Sequence, residues 1–205
     1  MPSVAREAAR ASTESARLLL MERSDASPLA RRAVTILLAI YGAYLLAHPG
    51  EGSLLDGVDL AIHETGHLVF APFGEVIGFA GGTIMQLLMP ALFVVYFVRR
   101  GDHHSASVAL WWVGQSAGHV SVYAADARAQ ELPLVGGGEH DWTYLLSHFR
   151  LLEQDQGVAR AFHAAAMLLM LVATAWGFVS AVRPAAAADA ELAPGSAGAH
   201  SRATD

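Results

Sequence analysis

Apolar residues in this chain are gathered into long uncharged runs rather than being spaced at helical or strand intervals. Four runs of 18 to 23 residues carry no formal charge: 33–50, 76–98, 105–125 and 161–182. About 20 predominantly apolar residues are enough for a helix to cross a bilayer. Because backbone amides in hydrocarbon must be hydrogen-bonded within their own segment, each run is predicted to be a helix.

A fifth segment, 58–73, is apolar in outline but contains four ionisable side chains: Asp59, His63, Glu64 and His67. Ionisable groups inside a membrane are costly and by default mark a functional site. With this segment included, the sequence predicts an all-α, polytopic membrane protein with about five transmembrane helices.

Three glycines, Gly78, Gly81 and Gly82, stand at the start of the next apolar run. Glycine weakens a helix interior, so these residues favour a turn or re-entrant loop over 73–82. The helix that follows is therefore expected to begin near Thr83.

The regions outside the apolar runs are polar and define the predicted organisation of the chain. Residues 1–32 are predicted to be a cytosolic tail, and 33–183 a membrane domain that includes a polar loop at 126–160. Residues 184–205 are rich in Ala, Gly, Ser and Pro and are predicted to be disordered. A cytosolic N-terminus would place nine arginines inside and four outside, as the positive-inside rule favours.

Composition supports the membrane assignment and narrows the function. Hydrophobic residues make up 54% of the chain and charged residues 16%, where a soluble domain has about 25% charged residues. The net charge of −6 argues against nucleic-acid binding, and the absence of Cys excludes disulfides, thiolate zinc sites and cysteine nucleophiles.

All 13 basic residues are Arg, which with the abundant Ala indicates a GC-rich bacterial genome. We therefore expect a multi-pass protein of the bacterial inner membrane, surrounded by lipid.

The fifth segment contains the sequence His63-Glu64-Thr65-Gly66-His67, an H-E-x-x-H motif. On a helix, residues four apart project from the same face, so two imidazoles can bind one Zn²⁺. Glu64 lies beside them and can accept a proton. The motif predicts one zinc ion per chain, with His63 and His67 as ligands and Glu64 as the catalytic base.

This motif in a membrane-embedded helix, followed by the glycine-rich turn at Gly78, Gly81 and Gly82, resembles the site-2 protease family of intramembrane zinc metallopeptidases. The resemblance covers about residues 58–126. It implies that the two motif histidines and a later Asp hold zinc, and that the motif Glu activates the water. The nearest analogue of the family's Asp is Asp126.

A catalytic zinc site needs three protein ligands, so a third must come from elsewhere in the chain. His119 and Asp126 lie on one stripe of the run 105–125 and its end, but they are about 10.5 Å apart along a helix. One ion therefore cannot bind both unless the helix kinks. A carboxylate at that depth needs a cation more than a lone histidine does, which makes Asp126 the preferred ligand.

His140 is the alternative metal ligand, together with the adjacent Asp141. Both follow three glycines at 136–138, and such a loop can fold back over the site. A turn followed by an amphipathic helix over 142–152 accounts equally well for the same stretch. Asp59, one turn before His63, either accepts a ligand imidazole N–H or is an acid favoured by the helix dipole.

These residues predict a zinc metallopeptidase-like hydrolase that acts on membrane-embedded or juxtamembrane peptides. Glu64 would take a proton from the attacking water and deliver it to the leaving amine. The alternative is a non-catalytic metal-binding membrane protein with a transport, sensing or chaperone-like role. Transport would require polar groups along a path through several helices, whereas the polar residues here gather around one place.

Overall fold

The computed structural model describes residues 26–134 and 138–182. It contains six α-helices in these ranges: α1 Pro28–Ala47, α2 Asp56–Phe70, α3 Glu75–Arg99, α4 His103–Ala125, α5 Asp141–His148 and α6 Asp155–Val182. Single 3₁₀ turns at Ala71–Phe73 and Leu152–Gln154 precede α3 and α6. No strand occurs in the described ranges, which confirms the all-α prediction. The predictions for most of the N-terminal tail and for the C-terminal tail lie outside the described residues.

Three helices are long and apolar enough to cross a membrane: α1, α3 and the stretch Leu152–Val182 that contains α6. Their apolar side chains point away from the protein, as shown by Leu37, Leu92 and Leu171, which are 66%, 52% and 69% exposed. An apolar surface of this extent is characteristic of contact with lipid. The chain is therefore a membrane-type helical protein.

Helix α4 lies at the centre of the bundle and packs most extensively against α6, with further contacts to α3 and α1. Its buried positions are mostly small residues, among them Ala106, Gly114 and Ala117. A Cβ atom on Gly114 would lie 2.8 Å from Cγ of Met170 on α6. Small residues let helices approach closely when no hydrophobic effect drives their association. This packing holds α4 beside α2 and α3, where the candidate site forms.

Helix α3 begins at Glu75, so the expected start near Thr83 is wrong. Gly81 and Gly82 are buried helical residues rather than parts of a turn. A Cβ atom on Gly81 would lie 2.7 Å from the carbonyl oxygen of Gly66 on α2. The cost of glycine in a helix, about 0.5–1 kcal/mol each, is offset here by close packing of α2 against α3.

Helix α1 begins at Pro28 rather than at residue 33, because Ser27 caps it by accepting a hydrogen bond from the N–H of Ala30. The polar loop predicted at 126–160 contains α5 and the first turn of α6. Arg128 anchors this loop through two hydrogen bonds of 2.8 Å to the carboxylate of Asp155. The loop is thus tied to the bundle near the end of α4.

Candidate metal centre

Helix α2 places His63 and His67 one turn apart on the face directed at α3 and α5. Their rings lie 4.8 Å apart, centroid to centroid, at 75°. His63 is buried and His67 is half-buried. The helical spacing of the motif therefore brings the two imidazoles together, as the sequence predicted.

A third group, the carboxylate of Asp141, meets the two histidines at this point. Asp141 is the first residue of α5, and its Oδ2 atom lies 2.9 Å from Nε2 of His63 and 3.1 Å from Nε2 of His67. The three ligand atoms all lie within 4.8 Å of one another. Two imidazoles and a carboxylate are a donor set found in catalytic zinc sites, so this group can hold a metal ion.

The hydrogen bonds on the far side of each ring set which nitrogen carries the proton. Nδ1 of His67 lies 2.8 Å from the carbonyl oxygen of Gly78, which can only accept. Nδ1 of His67 therefore carries a hydrogen, and its Nε2 atom faces Asp141.

Gln86 determines that Nδ1 of His63 carries a hydrogen. Its Oε1 atom lies 3.2 Å from Nδ1 of His63, while its Nε2 atom lies 3.0 Å from Nδ1 of His119. The amide that donates to His119 thus presents its oxygen to His63. Each Nε2 atom faces the Asp141 carboxylate, which accepts its hydrogen. A cation that replaces these hydrogens would be bound by two nitrogen lone pairs and a carboxylate oxygen.

The electrostatics of Asp141 suit a metal ligand. Burial alone would raise the pKa of its carboxyl, but hydrogen bonds to His63 and His67 hold that pKa below its ordinary value. The carboxylate is therefore ionised at neutral pH, as metal binding requires.

Asp126 and His140, the two ligands proposed from sequence, lie against each other rather than in this group. The Asp126 carboxylate ends α4 and accepts hydrogen bonds of 2.9 and 3.1 Å from the N–H groups of Glu131 and Leu132. Its Oδ2 atom lies 3.4 Å from Nε2 of His140. Burial lowers the pKa of His140, and the Asp126 and Asp141 carboxylates oppose that effect. The structure brings neither residue together with His63 and His67.

His140 nevertheless determines where Asp141 lies. It is the N-cap of α5, and its Nδ1 accepts a 3.3 Å hydrogen bond from the N–H of Thr143. The segment after the glycines does fold over the site, as the sequence alternative proposed, but it contributes Asp141. Asp126 and His140 together support the start of α5.

Asp59 is fully buried and does not contact a ligand imidazole. Its Oδ1 accepts a 2.9 Å hydrogen bond from the indole N–H of Trp112. Of the two roles left open by the sequence, orientation of a ligand histidine does not occur, because Gln86 and the Gly78 carbonyl occupy the two Nδ1 positions. Asp59 is an acidic residue in the first turn of α2, which agrees with the other role.

Glu64 is half-buried and faces open space beside the histidines. Its carboxylate makes no hydrogen bond to the described part of the chain. It lines two cavities, one of about 480 Å³ towards α1 and α4 and one of about 440 Å³ beside His67 and Asp141. Glu64, Tyr123 and Leu134 line both. Small molecules such as water can therefore reach the Glu64 carboxylate beside His63, His67 and Asp141.

Sequence reasoning missed Gln86 and Tyr123. Gln86 had a signal, because it is the one polar amide in the uncharged run 76–98, and a buried polar side chain there needs a partner. Tyr123 had none, since an aromatic residue near the end of a membrane helix ordinarily lies at the lipid interface.

The chain was compared with protein-family models, curated proteins and solved structures. No protein-family model, curated protein or solved structure matches this chain.

Gly82→Ala should weaken metal binding although it substitutes none of the candidate ligand residues. A Cβ atom at this position would collide with Nε2 of His63 and would lie 2.6 Å from its Cδ2 and Cε1 atoms. The ring must then move, and a misplaced ligand costs about 10- to 100-fold in affinity. Gly57→Ala on α2 is the control, because no atom lies within 4 Å of its Cβ position. Zinc titration of both variants measures the effect, and equal affinities would contradict the placement of His63 against α3.

Proposed function

We propose that this chain is an intramembrane zinc metallopeptidase-like hydrolase acting on membrane-embedded or juxtamembrane peptides. The observation that carries the proposal is the convergence of His63, His67 and Asp141 beside Glu64, at the meeting of two cavities. The resemblance of the 63–67 motif to site-2 proteases points the same way. The carboxylate ligand that this resemblance calls for would be Asp141, which lies beyond residues 58–126, rather than Asp126.

Zinc is the metal that the donor set favours. Two imidazoles and one carboxylate, without thiolates, suit a borderline-soft divalent ion, and three protein ligands leave a position for water. The zinc held there would supply a Lewis acid that acidifies water and polarises a carbonyl. We expect one ion per chain.

The chain's own residues then account for the proton transfers. Glu64 accepts a proton from water as the water oxygen adds to the peptide carbonyl carbon. The same carboxyl returns that proton to the amide nitrogen as the carbon–nitrogen bond breaks. Gln86 and the Gly78 carbonyl hold the two imidazoles in the tautomer that leaves Nε2 free.

The proposal includes a bacterial inner-membrane location, with α2 and α4 completing five membrane helices. Helix α2 has 15 residues and packs against α3, and α4, which has polar buried residues, is surrounded by α1, α3 and α6. Polar backbone and side chains at membrane depth are tolerated where protein surrounds them. A cytosolic N-terminus remains the orientation that the arginine distribution favours.

Metal analysis of the purified protein combined with a cleavage assay tests this function. Detergent-purified protein should contain close to one zinc per chain and cleave some members of a panel of transmembrane reporter peptides. Chelation should stop cleavage, and added zinc should restore it. Stoichiometric zinc without cleavage of any reporter would favour a non-catalytic metal-binding role. Protein that neither contains nor binds zinc would refute both.

A further inference from the structure

Tyr123 on α4 is placed beside the ligand group although it is not a metal ligand. The backbone N–H of Asp141 donates a 3.4 Å hydrogen bond to its hydroxyl oxygen. Its ring meets the His63 ring edge-on, with centroids 5.8 Å apart. Tyr123 thus contacts two of the three residues that would hold the zinc, and its hydroxyl group lies beside Asp141.

A further contact, with His140, holds the Tyr123 ring in this position. The ring lies against His140, with centroids 4.2 Å apart and an interplanar angle of 34°. His140 is itself 1% exposed and caps α5. An aromatic ring packed between two others loses little additional freedom when a ligand binds, so the hydroxyl is oriented in advance.

The same residue faces the space where a substrate would lie. Tyr123 lines both cavities, and Glu64 does so as well. The hydroxyl oxygen accepts the Asp141 N–H, and its hydrogen is within hydrogen-bonding reach of the Asp141 carboxylate. When that carboxylate binds a cation, the hydrogen can be donated to a third atom. A donor beside a metal ligand, in the same cavities as a general base, can hydrogen-bond a peptide carbonyl oxygen that develops negative charge.

We propose that Tyr123 donates a hydrogen bond from its hydroxyl to the carbonyl oxygen of the scissile peptide as that oxygen becomes negative. This inference rests on the proposed peptidase function and adds a catalytic residue to it. No proton is transferred from Tyr123: the water proton passes to Glu64 and then to the leaving nitrogen. The hydroxyl stabilises the addition of water without taking part in bond making or breaking.

Tyr123→Phe tests the proposal because it removes the hydroxyl and keeps the ring contacts with His63 and His140. The variant should fold and retain one zinc per chain, with KM for a reporter peptide within about twofold of wild type. Its kcat should fall by about 10²- to 10³-fold, as for the loss of one oxyanion donor. A phosphinate analogue of the same peptide should bind more weakly by a similar factor, since it imitates the tetrahedral geometry.

Tyr144→Phe is the matched control, because Tyr144 on α5 stacks on Phe79 with centroids 3.9 Å apart and lines neither cavity. Its kcat should equal that of wild type. A Tyr123→Phe kcat within threefold of wild type, or an effect on KM alone, would overturn the proposal. Loss of zinc from Tyr123→Phe would also overturn it, because the hydroxyl would then act by supporting Asp141.

The outcome for Tyr123 can be separated from that of the proposed function. If wild type cleaves the reporter and Tyr123→Phe cleaves it equally well, the peptidase function stands and the role of Tyr123 is refuted. If wild type contains zinc but cleaves no reporter, the peptidase function fails and the role of Tyr123 fails with it.

Discussion

Asp141→Ala should release the metal from the purified protein, with a loss of zinc affinity of more than about 100-fold. That value exceeds the 10- to 100-fold typical of residues that only orient a ligand. The expectation follows because Oδ2 of Asp141 is the atom that both Nε2 atoms face, at 2.9 and 3.1 Å. Its removal leaves two imidazoles, one protein ligand fewer than a catalytic zinc site uses. Competition titration with a fluorescent zinc chelator measures the change.

Asp126→Ala is the comparison that makes this experiment decisive. The Asp126 carboxylate accepts hydrogen bonds from two backbone N–H groups and lies beside His140, so its loss should loosen the start of α5 without removing a ligand. We expect Asp126→Ala to keep zinc with a loss of about tenfold or less. If purified Asp126→Ala contained no zinc while Asp141→Ala retained it, Asp126 at the end of α4 would be the third ligand instead of Asp141.

Properties determined locally along the chain could be predicted from the sequence. Four of the predicted helices, including the three that are long and apolar enough to span, follow from uncharged runs, because a membrane segment must satisfy its own backbone. The approach of His63 to His67 follows from the helical repeat. Each of these properties depends on residues within about one helix.

The third candidate ligand could not be predicted from local sequence properties. Asp141 is 78 residues from His63. Its position depends on how α5 packs against α3 and on its hydrogen bonds with His63 of α2 and Tyr123 of α4. Helical register assigns a residue to a face but gives no distance to another helix. Asp126 satisfied the register on α4 and yet lies at its end, where its carboxylate binds backbone N–H groups instead.

The glycines of α3 show a different error. Their low helix propensity predicted a turn, but packing against α2 determines that this segment is helical. Gly81 and Gly82 resemble breakers in the sequence, because glycine is a poor helix former. In a membrane-type bundle, the absence of a side chain lets α2 pack closely against α3. This packing stabilises the helix by more than the low helix propensity of glycine destabilises it. Gly82 lies against the His63 imidazole, so the glycines that were expected to form a turn instead make room for a residue of the candidate metal centre.

Glu64→Gln should abolish peptide hydrolysis and leave the zinc in place. The amide is nearly the same size as the carboxylate, and Glu64 makes no hydrogen bond to the described residues that would be lost. Glutamine cannot accept the proton of the attacking water, and removal of a general base costs about 10²- to 10⁴-fold in rate. Zinc content, KM and kcat measured on one preparation would separate metal binding from turnover.

Glu131→Gln controls for the loss of one negative charge, because Glu131 is exposed and lines neither cavity. It should match wild type in zinc content and kcat. Loss of zinc from Glu64→Gln would make Glu64 part of the ligand group, against the geometry in which Asp141 completes it. Undiminished cleavage would remove Glu64 from the mechanism. Since no other carboxylate lines both cavities among the described residues, the proton acceptor would then have to be sought outside the 63–67 motif.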